Sequence, residues 1–332
     1  PLLTKDKNGE LVPLVDLQGK FIDTLKIIGG KYVKNEYYNE DQKPEKSVDV
    51  EICIHLKEKN RAFKVEKYIH SYPNCWRTDK PILYYPLDSW FIGVSKIRDK
   101  LVSLNKQINW IPSSTGEKRF SNWLSSANDW NLSRSRYWGI PLPIWRTKDN
   151  CETKVIGSVN ELKSEIIKSI NNKHMEFNPI ESFEVDNMGE ENYDNIDLHK
   201  DTLDNIILSS DEGKPMYREN DLIDVWFDSG AMPYAQVHYP FENKNLIDEK
   251  KIFPADYIAE GVDQTRGWFY TLHVISTIVF NSISYKNVIS NGLVLDKNGQ
   301  KMSKRLGNSI DPFEIISKYG PDATRWYMIS NS

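Results

Sequence analysis

The sequence predicts an α/β fold built on a parallel sheet of the doubly wound type. Two observations support this prediction. Apolar runs at residues 255–259 and 287–295 lack the polar alternation of a half-exposed strand, as is typical of strands buried on both faces. A longer apolar stretch, about 264–281, lies between them and has the length of a helix. The resulting order of strand, helix and strand favours parallel pairing, because the helix returns the chain to the same end of the sheet.

Composition narrows the classes of protein that need to be considered. The chain has 332 residues, 39% of them hydrophobic and 12% aromatic, which excludes global disorder and suggests about two domains. A formal net charge of −4 excludes binding of nucleic acid through overall basicity. Three cysteines without a CxxC pair argue against a zinc ribbon and fit a reducing compartment. The longest apolar run, 272–280, is too short for a bilayer, so no membrane partner is expected.

Local patterns predict the elements of the first 150 residues. Residues 11–15 and 20–22 are weak strand candidates. At 47–58 the apolar residues alternate, which favours a strand, but the flanking Lys and Glu would suit a helix, and both remain open. A helix-like run follows at 96–104. Apolar residues spaced by three and four predict another helix at 120–130.

The second half is more clearly patterned outside one segment. Residues 171–213 are the most polar and least periodic stretch, which predicts a partly flexible surface insertion. Residues 222–227 are predicted as a buried strand, and 296–299 as a turn. The string Asp311–Glu314 has an N-cap residue followed by Pro and then Glu, and Gly320 suits a C-cap, so a helix is predicted between them.

Two groups of polar residues could carry chemistry. The string Lys301-Met302-Ser303-Lys304 follows the predicted turn, and lysines on a loop can neutralise a polyphosphate, although a solvated surface loop has the same composition. Glu260 and Gly261 end a predicted strand where open α/β sheets bind ligands, and Gly261 would let a ligand approach the backbone closely. Asp263 and Gln264 follow at the helix start, where their polar groups could hydrogen-bond a ligand. Asp263 could also be a plain N-cap at this position.

The lysine string resembles the signature loop of class I aminoacyl-tRNA synthetases. Four further segments resemble the isoleucyl-tRNA synthetases of that class, in the same order along the chain: His70–Arg77, Asp129–Gly139, Asp224–Gln236 and Glu260–Phe269. Arg305 stands where many members have Ser, which resembles eukaryotic-type enzymes. The resemblance covers nearly the whole chain apart from the polar insertion.

The resemblance implies three groups of site residues. The first group acts catalytically by stabilising the departing pyrophosphate: Lys301, Ser303 and Lys304. The second binds the aminoacyl-adenylate: Glu260, Gly261, Asp263, Gln264 and Lys304. The third lines the pocket for the amino-acid side chain: Trp226, Trp268 and Gln264. Without the family, the two tryptophans would be interpreted as core residues.

The resemblance also implies a domain organisation. The chain would hold the second half of a doubly wound nucleotide-binding fold and the C-terminal part of an inserted editing domain. The segments, in order, are 1–95 for the editing insertion, 96–150 for the return into the nucleotide-binding fold, 151–216 for a polar connective insertion, 217–309 for the second half of the catalytic domain with the lysine loop, and 310–332 for the start of a helical stem-contact region.

The implied function is that of an isoleucine-tRNA ligase in the cytoplasm. Such an enzyme activates L-isoleucine with ATP and transfers it to tRNA(Ile), and the full-length parent would edit valine. Mg²⁺ would accompany ATP on phosphate oxygens and water, without a metal site in the protein. The family's His-any-Gly-His string is absent here, so the segment alone is expected to be an inactive part of a longer enzyme. The alternatives are a valyl-tRNA synthetase fragment and a synthetase-derived binding protein without catalysis.

Overall fold

A computed structural model describes residues 3–5, 9, 11–75, 77–303 and 307–330. The chain divides into two compact units, Pro1–Asp88 and Ser89–Ser332. None of the helices in the described ranges combines the length and apolar content that a bilayer crossing requires.

The first unit contains few regular elements. Leu3–Lys5 and Leu11–Pro13 pair as antiparallel strands, and Asn35–Tyr37 forms a 3-10 turn. The predicted strand at 20–22 is present only as isolated bridges, Val15 with Phe21 and Lys20 with Tyr32.

The segment that the sequence left open is a helix, Val48–Glu58. Its N-cap is Ser47, whose hydroxyl accepts a hydrogen bond from the backbone N–H of Val50 at 3.4 Å. Glu51 of this helix also pairs with Lys31 at 2.6 Å. Capping and a tertiary ion pair therefore prevail over the apolar alternation.

A three-stranded parallel sheet forms the centre of the second unit. The strands lie in the order Ala255–Gly261, Tyr285–Asn291 and Asn109–Ile111. Both pairings are parallel, which confirms the predicted sheet type. The middle strand begins two residues earlier and ends four residues earlier than the predicted 287–295.

Helices pack with this sheet around a continuous apolar core. The predicted helix at 264–281 consists of a 3-10 turn, Val262–Arg266, and an α-helix, Trp268–Phe280, with Gly267 between them. Nine residues of the α-helix are buried, and Phe269 and Val274 are fully so.

The segment before the sheet's edge strand agrees with the sequence in part. The helix-like run is confirmed as Arg98–Asn105, preceded by a 3-10 turn at Val94–Ile97. The prediction at 120–130 is right only at its start. The elements there are a π-helical turn, a short helix and a strand that pairs with Phe91–Ile92: Thr115–Phe120, Ser121–Ser125 and Trp130–Asn131.

The prediction of a buried strand at 222–227 is wrong. Only Leu222–Ile223 is a strand, paired antiparallel with Ser133–Arg134. Asp224 is the N-cap of a helix, Val225–Ala235, because its carboxylate accepts the backbone N–H of Trp226 at 3.2 Å. The apolar residues after Asp224 therefore belong to a helix.

The polar segment carries a small sheet and a core of its own. Four antiparallel strands lie in the order Thr153–Val155, Ile144–Thr147, Pro215–Arg218 and Leu208–Ser209. Helix Val159–Asn171 packs against them. Between 171 and 213 the elements are short, Glu190–Tyr193 and Lys200–Leu203, as the poor periodicity predicts. Ile180, Ile206 and Leu208 are nonetheless fully buried and anchor this stretch.

Short helices complete the unit. Lys244–Asp248 precedes the sheet strand, and Pro312–Tyr319 and Pro321–Ser330 lie at the end. The predicted cap is confirmed, since the Asp311 carboxylate accepts the backbone N–H of Phe313 at 2.9 Å. Gly320 has φ +83° at the C-cap, a value that favours glycine.

Candidate functional site

The carboxyl ends of two parallel strands place the first group of expected residues. Glu260 lies opposite Ser290 in the register, and Gly261 lies opposite Asn291. The side chain of Glu260 is exposed at this edge. The Ser290 hydroxyl is buried and has no hydrogen-bond partner among the described residues. Exposed carboxylate, glycine backbone and an unpaired hydroxyl at a parallel strand end are features of a ligand-binding edge.

The space beside the Gly261 backbone is occupied by the carboxylate of Asp263. A Cβ atom at this position would lie 2.6 Å from Oδ1 of Asp263, whose carboxylate therefore folds back over the glycine. The N-cap of the turn Val262–Arg266 is Gly261 itself. The alternative that Asp263 is a plain N-cap is thus wrong, and its exposed carboxylate is left at the sheet edge beside Gln264.

Gln264, Trp226 and Trp268 meet around Gly267. The backbone N–H of Trp268 donates to Oε1 of Gln264 at 2.9 Å, and the Trp268 indole N–H donates to the carbonyl of Ser229 at 2.8 Å. A Cβ on Gly267 would lie 3.2 Å from the ring of Trp226 and 2.7 Å from the Gln264 amide oxygen. The fold thus brings together all three expected pocket residues, from two helices and the turn between strand and helix.

The two tryptophans are only partly covered. Trp226 is 41% exposed and Trp268 is half-buried. Trp268 packs partly against the core cluster, whereas Phe269 is fully buried within it. Flat indole surfaces beside an amide can cover an aliphatic side chain and orient a neighbouring polar group.

Asp224 holds the start of the helix that carries Trp226. This carboxylate is buried and accepts hydrogen bonds from the indole of Trp130 at 2.9 Å and the guanidinium of Arg134 at 2.7 Å. Burial, followed by the charge of Asp224, raises the pKa of Asp228 one turn along the helix. The wall of the pocket is therefore fixed by a charged network that the sequence did not predict.

Arg119 fixes the turn that carries Gln264. Its Nε donates to the hydroxyl of Thr265 at 2.9 Å, and Thr265 is fully buried. Arg119 lies in the π-helical turn, a conformation that is frequent at functional sites. The guanidinium of Arg266, the residue after Thr265, lies 4.8 Å from the ring centre of Trp123.

These contacts bear on the basic and aromatic residues between 118 and 138. A composition of this kind suits RNA contact and packing at a sheet edge equally well. Arg119, Arg134 and Trp130 are engaged in hydrogen bonds within the fold. Trp138, 70% exposed, stacks on His199 at 4.4 Å. Packing therefore accounts for most of the region.

The lysine loop leaves from the same edge of the sheet, after strand Tyr285–Asn291. The predicted turn is confirmed, since the N–H of Gly299 donates to the carbonyl of Asp296 at 2.9 Å and Gly299 has φ +74°. Lys301 is exposed and Ser303 is half-buried. Lys304 and Arg305 lie outside the described residues.

The side chains of Asp296 and Asn308 form hydrogen bonds between the two ends of this loop. Asn308 accepts the backbone N–H of Ser303 at 2.8 Å and donates to Asp296 at 2.9 Å. The sequence did not predict either role. The short polar side chains that bracket the string are the only signal that could have indicated them.

Within the described ranges, no group of three or more His, Cys, Asp or Glu side chains could hold a metal ion.

Comparison with known proteins gives one family. Residues 33–332 match the family described as tRNA synthetases class I (I, L, M and V). The isoleucine–tRNA ligases of Bacteroides fragilis YCH46 and Cytophaga hutchinsonii are 59% and 58% identical over all of this chain. The probable cytoplasmic isoleucine–tRNA ligase of Dictyostelium discoideum is 44% identical over 96% of it. With bacterial relatives at the higher identities, the eukaryotic-type assignment stays a prediction.

The chain spans about a third of the length of these relatives: 31% of the Bacteroides protein, 29% of the Cytophaga protein and 26% of the Dictyostelium protein. A less similar solved structure, methionyl-tRNA synthetase of Mycobacterium tuberculosis with methionyl-adenylate, is 16% identical over 77% of this chain and 36% of its own, with a TM-score of 0.43. The match over residues 33–332, together with the parallel sheet, establishes that this chain belongs to the class I tRNA synthetases.

Proposed function

We propose that this chain is the central catalytic part of an isoleucine-tRNA ligase, which activates L-isoleucine with ATP and transfers it to tRNA(Ile). The observation that carries the proposal is the meeting of Trp226, Gln264 and Trp268 around Gly267, beside the carboxyl edge of the parallel sheet. The two partly exposed indoles offer flat apolar walls for a branched aliphatic side chain. The high identity to proteins named isoleucine–tRNA ligase supports isoleucine as that side chain.

The residues at the sheet edge suit the adenylate. Gly261 has no Cβ where a nucleotide would approach the backbone, and the exposed carboxylates of Glu260 and Asp263 can accept hydrogen bonds from ribose hydroxyls. Gln264 lies between this edge and the indoles, where its amide N–H can reach the aminoacyl group. These four residues would therefore bind isoleucyl-adenylate.

The lysine loop would act on the phosphates. Lys301 and Lys304 would neutralise charge on the departing pyrophosphate, and Ser303 would add a hydroxyl donor. Mg²⁺ would arrive with ATP, held by phosphate oxygens and water. We assign the protein to the cytoplasm, with tRNA(Ile) as its macromolecular partner and editing of valine as a property of the full-length enzyme.

Isoleucine-dependent exchange of pyrophosphate into ATP tests the proposal in the full-length protein. Trp226→Ala and Trp268→Ala should each raise KM for isoleucine much more than KM for ATP, because the two indole walls would contact only the amino acid. Trp326→Ala is the matched control, since this tryptophan is 73% exposed on the last helix. Equal effects on both KM values would show that the tryptophans are core residues.

The same assay separates the rival functions. Exchange that depends on valine more strongly than on isoleucine would identify a valyl-tRNA synthetase. No exchange with either amino acid in the full-length protein would identify a binding protein without catalysis. The chain from 1 to 332 alone should give no exchange, because catalysis needs groups held in one geometry and part of the site would lie elsewhere.

A further inference from the structure

Among the described residues of the lysine loop, Asp296 and Asn308 take part in five side-chain hydrogen bonds. Oδ1 of Asp296 accepts the backbone N–H of Asn298 at 2.9 Å and that of Gln300 at 2.8 Å. Oδ2 of the same carboxylate accepts an N–H of the Asn308 amide at 2.9 Å. The carboxylate thus binds the tight turn with one oxygen and Asn308 with the other.

Asn308 continues this connection to the two signature residues. Its amide oxygen accepts the backbone N–H of Ser303 at 2.8 Å, and its amide nitrogen also donates to the carbonyl of Lys301 at 3.3 Å. Lys301 in addition forms an isolated antiparallel bridge with Leu295, at the end of the segment that leaves the sheet. The backbone at Lys301 and Ser303 is therefore connected through Asn308 to Asp296.

We propose that Asp296 and Asn308 are positioning residues for phosphate chemistry: together they fix the backbone from which Lys301 and Ser303 reach the nucleotide. This inference rests on the proposed function and adds two residues that would act through the backbone of the loop. Because Lys301 is exposed, hydrogen bonds to its backbone are needed to present it in one place, and small displacements of catalytic groups reduce rates strongly.

The ionisation of Asp296 is consistent with this role. The hydrogen bonds from Asn308 and then from Gln300 hold the pKa of Asp296 below its usual range. Asp296 is therefore ionised at neutral pH and requires donors around it. Asn308 is the side-chain donor, so an acidic residue in its place would bring two carboxylates together.

An exchange of the two residues gives a sharp test. Asn308→Asp alone places two carboxylates opposite each other and removes the donor to Lys301. In the double variant Asp296→Asn/Asn308→Asp, the amide at 296 still accepts both turn N–H groups and donates to the carboxylate at 308. That carboxylate still accepts the N–H of Ser303, so four of the five bonds can form again.

Isoleucine-dependent pyrophosphate exchange in the full-length protein is the assay. Asn308→Asp and Asn308→Ala should each lower kcat about 10- to 100-fold, with KM for isoleucine changed less than about 2-fold. The double exchange should recover at least half of the loss in kcat on a logarithmic scale. Ser309→Ala is the control, since it is the exposed neighbour of Asn308 and none of these bonds involves it.

Several outcomes would overturn the proposal. A kcat for Asn308→Asp equal to that of the wild type would do so, as would a double exchange no better than the single variant. Melting temperatures of all variants are measured alongside, and a kcat loss that only tracks lower stability would reduce the pair to a structural role. If the wild type activates valine instead of isoleucine, the amino-acid assignment fails, and the same comparison is made with valine.

Discussion

Adding a single methyl group at Gly267 should weaken isoleucine binding without touching the ATP side of the site. The new Cβ of Gly267→Ala would lie 2.7 Å from Oε1 of Gln264 and 3.2 Å from the Trp226 ring. The glutamine is the flexible partner and must move, so it loses its hydrogen bond to the N–H of Trp268. The indole of Trp226 must shift by a few tenths of an ångström.

The expected magnitude follows from these two displacements. Loss of one hydrogen bond costs about 0.5–1.5 kcal/mol, and overpacking costs about 1–3 kcal/mol, part of which the partly exposed ring can relieve. A net cost of about 1–3 kcal/mol corresponds to an increase of about 5- to 150-fold in KM for isoleucine. KM for ATP should change by less than about 2-fold, because the displaced groups form the amino-acid side of the site.

Pyrophosphate exchange at varied isoleucine and saturating ATP measures the first value, and the converse titration measures the second. Gly93→Ala is a matched control, because its Cβ would meet only the flexible side chain of Lys96 at 3.4 Å. An unchanged KM for isoleucine in Gly267→Ala, or an equal rise in both KM values, would refute the pocket assignment.

Three further predictions concern stability. Burial holds the pKa of His273 at about 4, below its ordinary 6.5, so only the unfolded chain binds a proton between those values. The contribution of His273 to the free energy of unfolding is therefore complete above about pH 6.5, and it falls by on the order of 3 kcal/mol as the pH drops to about 4. The side chain in His273→Gln can still donate to the Leu101 carbonyl, so urea unfolding of this variant should show a flatter pH dependence. Asp224→Ala should cost about 2–3 kcal/mol in urea unfolding, because Trp130 and Arg134 lose a buried acceptor; a loss no larger than that of the exposed Asp256→Ala would contradict the network. Trp145→Ala should lower the free energy of unfolding by about 3–5 kcal/mol, because Trp145 fills the core beside the four-stranded antiparallel sheet. Amide exchange should become faster in the strands of that sheet, while the parallel sheet keeps its protection.

The sequence by itself determined the elements whose signals are local. A strand was predicted at 255–259 from its mostly apolar residues and is found at Ala255–Gly261, although none of its residues is fully buried, and the helix after Asp311 follows from its cap residues. The turn before the lysine string is likewise encoded by Gly299 at a positive φ. The motifs also identified Trp226 and Gln264 as one site, through resemblance to a family.

Tertiary structure decided what depends on contacts between distant residues. At 222–227 the apolar run favoured a strand, but Asp224 accepts donors from Trp130 and Arg134 and thereby starts a helix. No periodicity in the sequence reports such a contact. The polar stretch 171–213 has few apolar residues, yet Ile180, Leu203 and Ile206 are buried against a helix and a sheet formed mostly from residues before and after it.

The geometry of the site was also decided at this level. The sequence alone does not reveal the role of Gly267. This role depends on the indole of Trp226, from another helix, and on the side chain of Gln264, three residues earlier. The position of Asn308 beside the lysine string is only a weak signal, since its hydrogen bond to Asp296 spans the loop. Sequence patterns specify which residues can carry the chemistry, whereas packing and buried hydrogen bonds determine which of them meet.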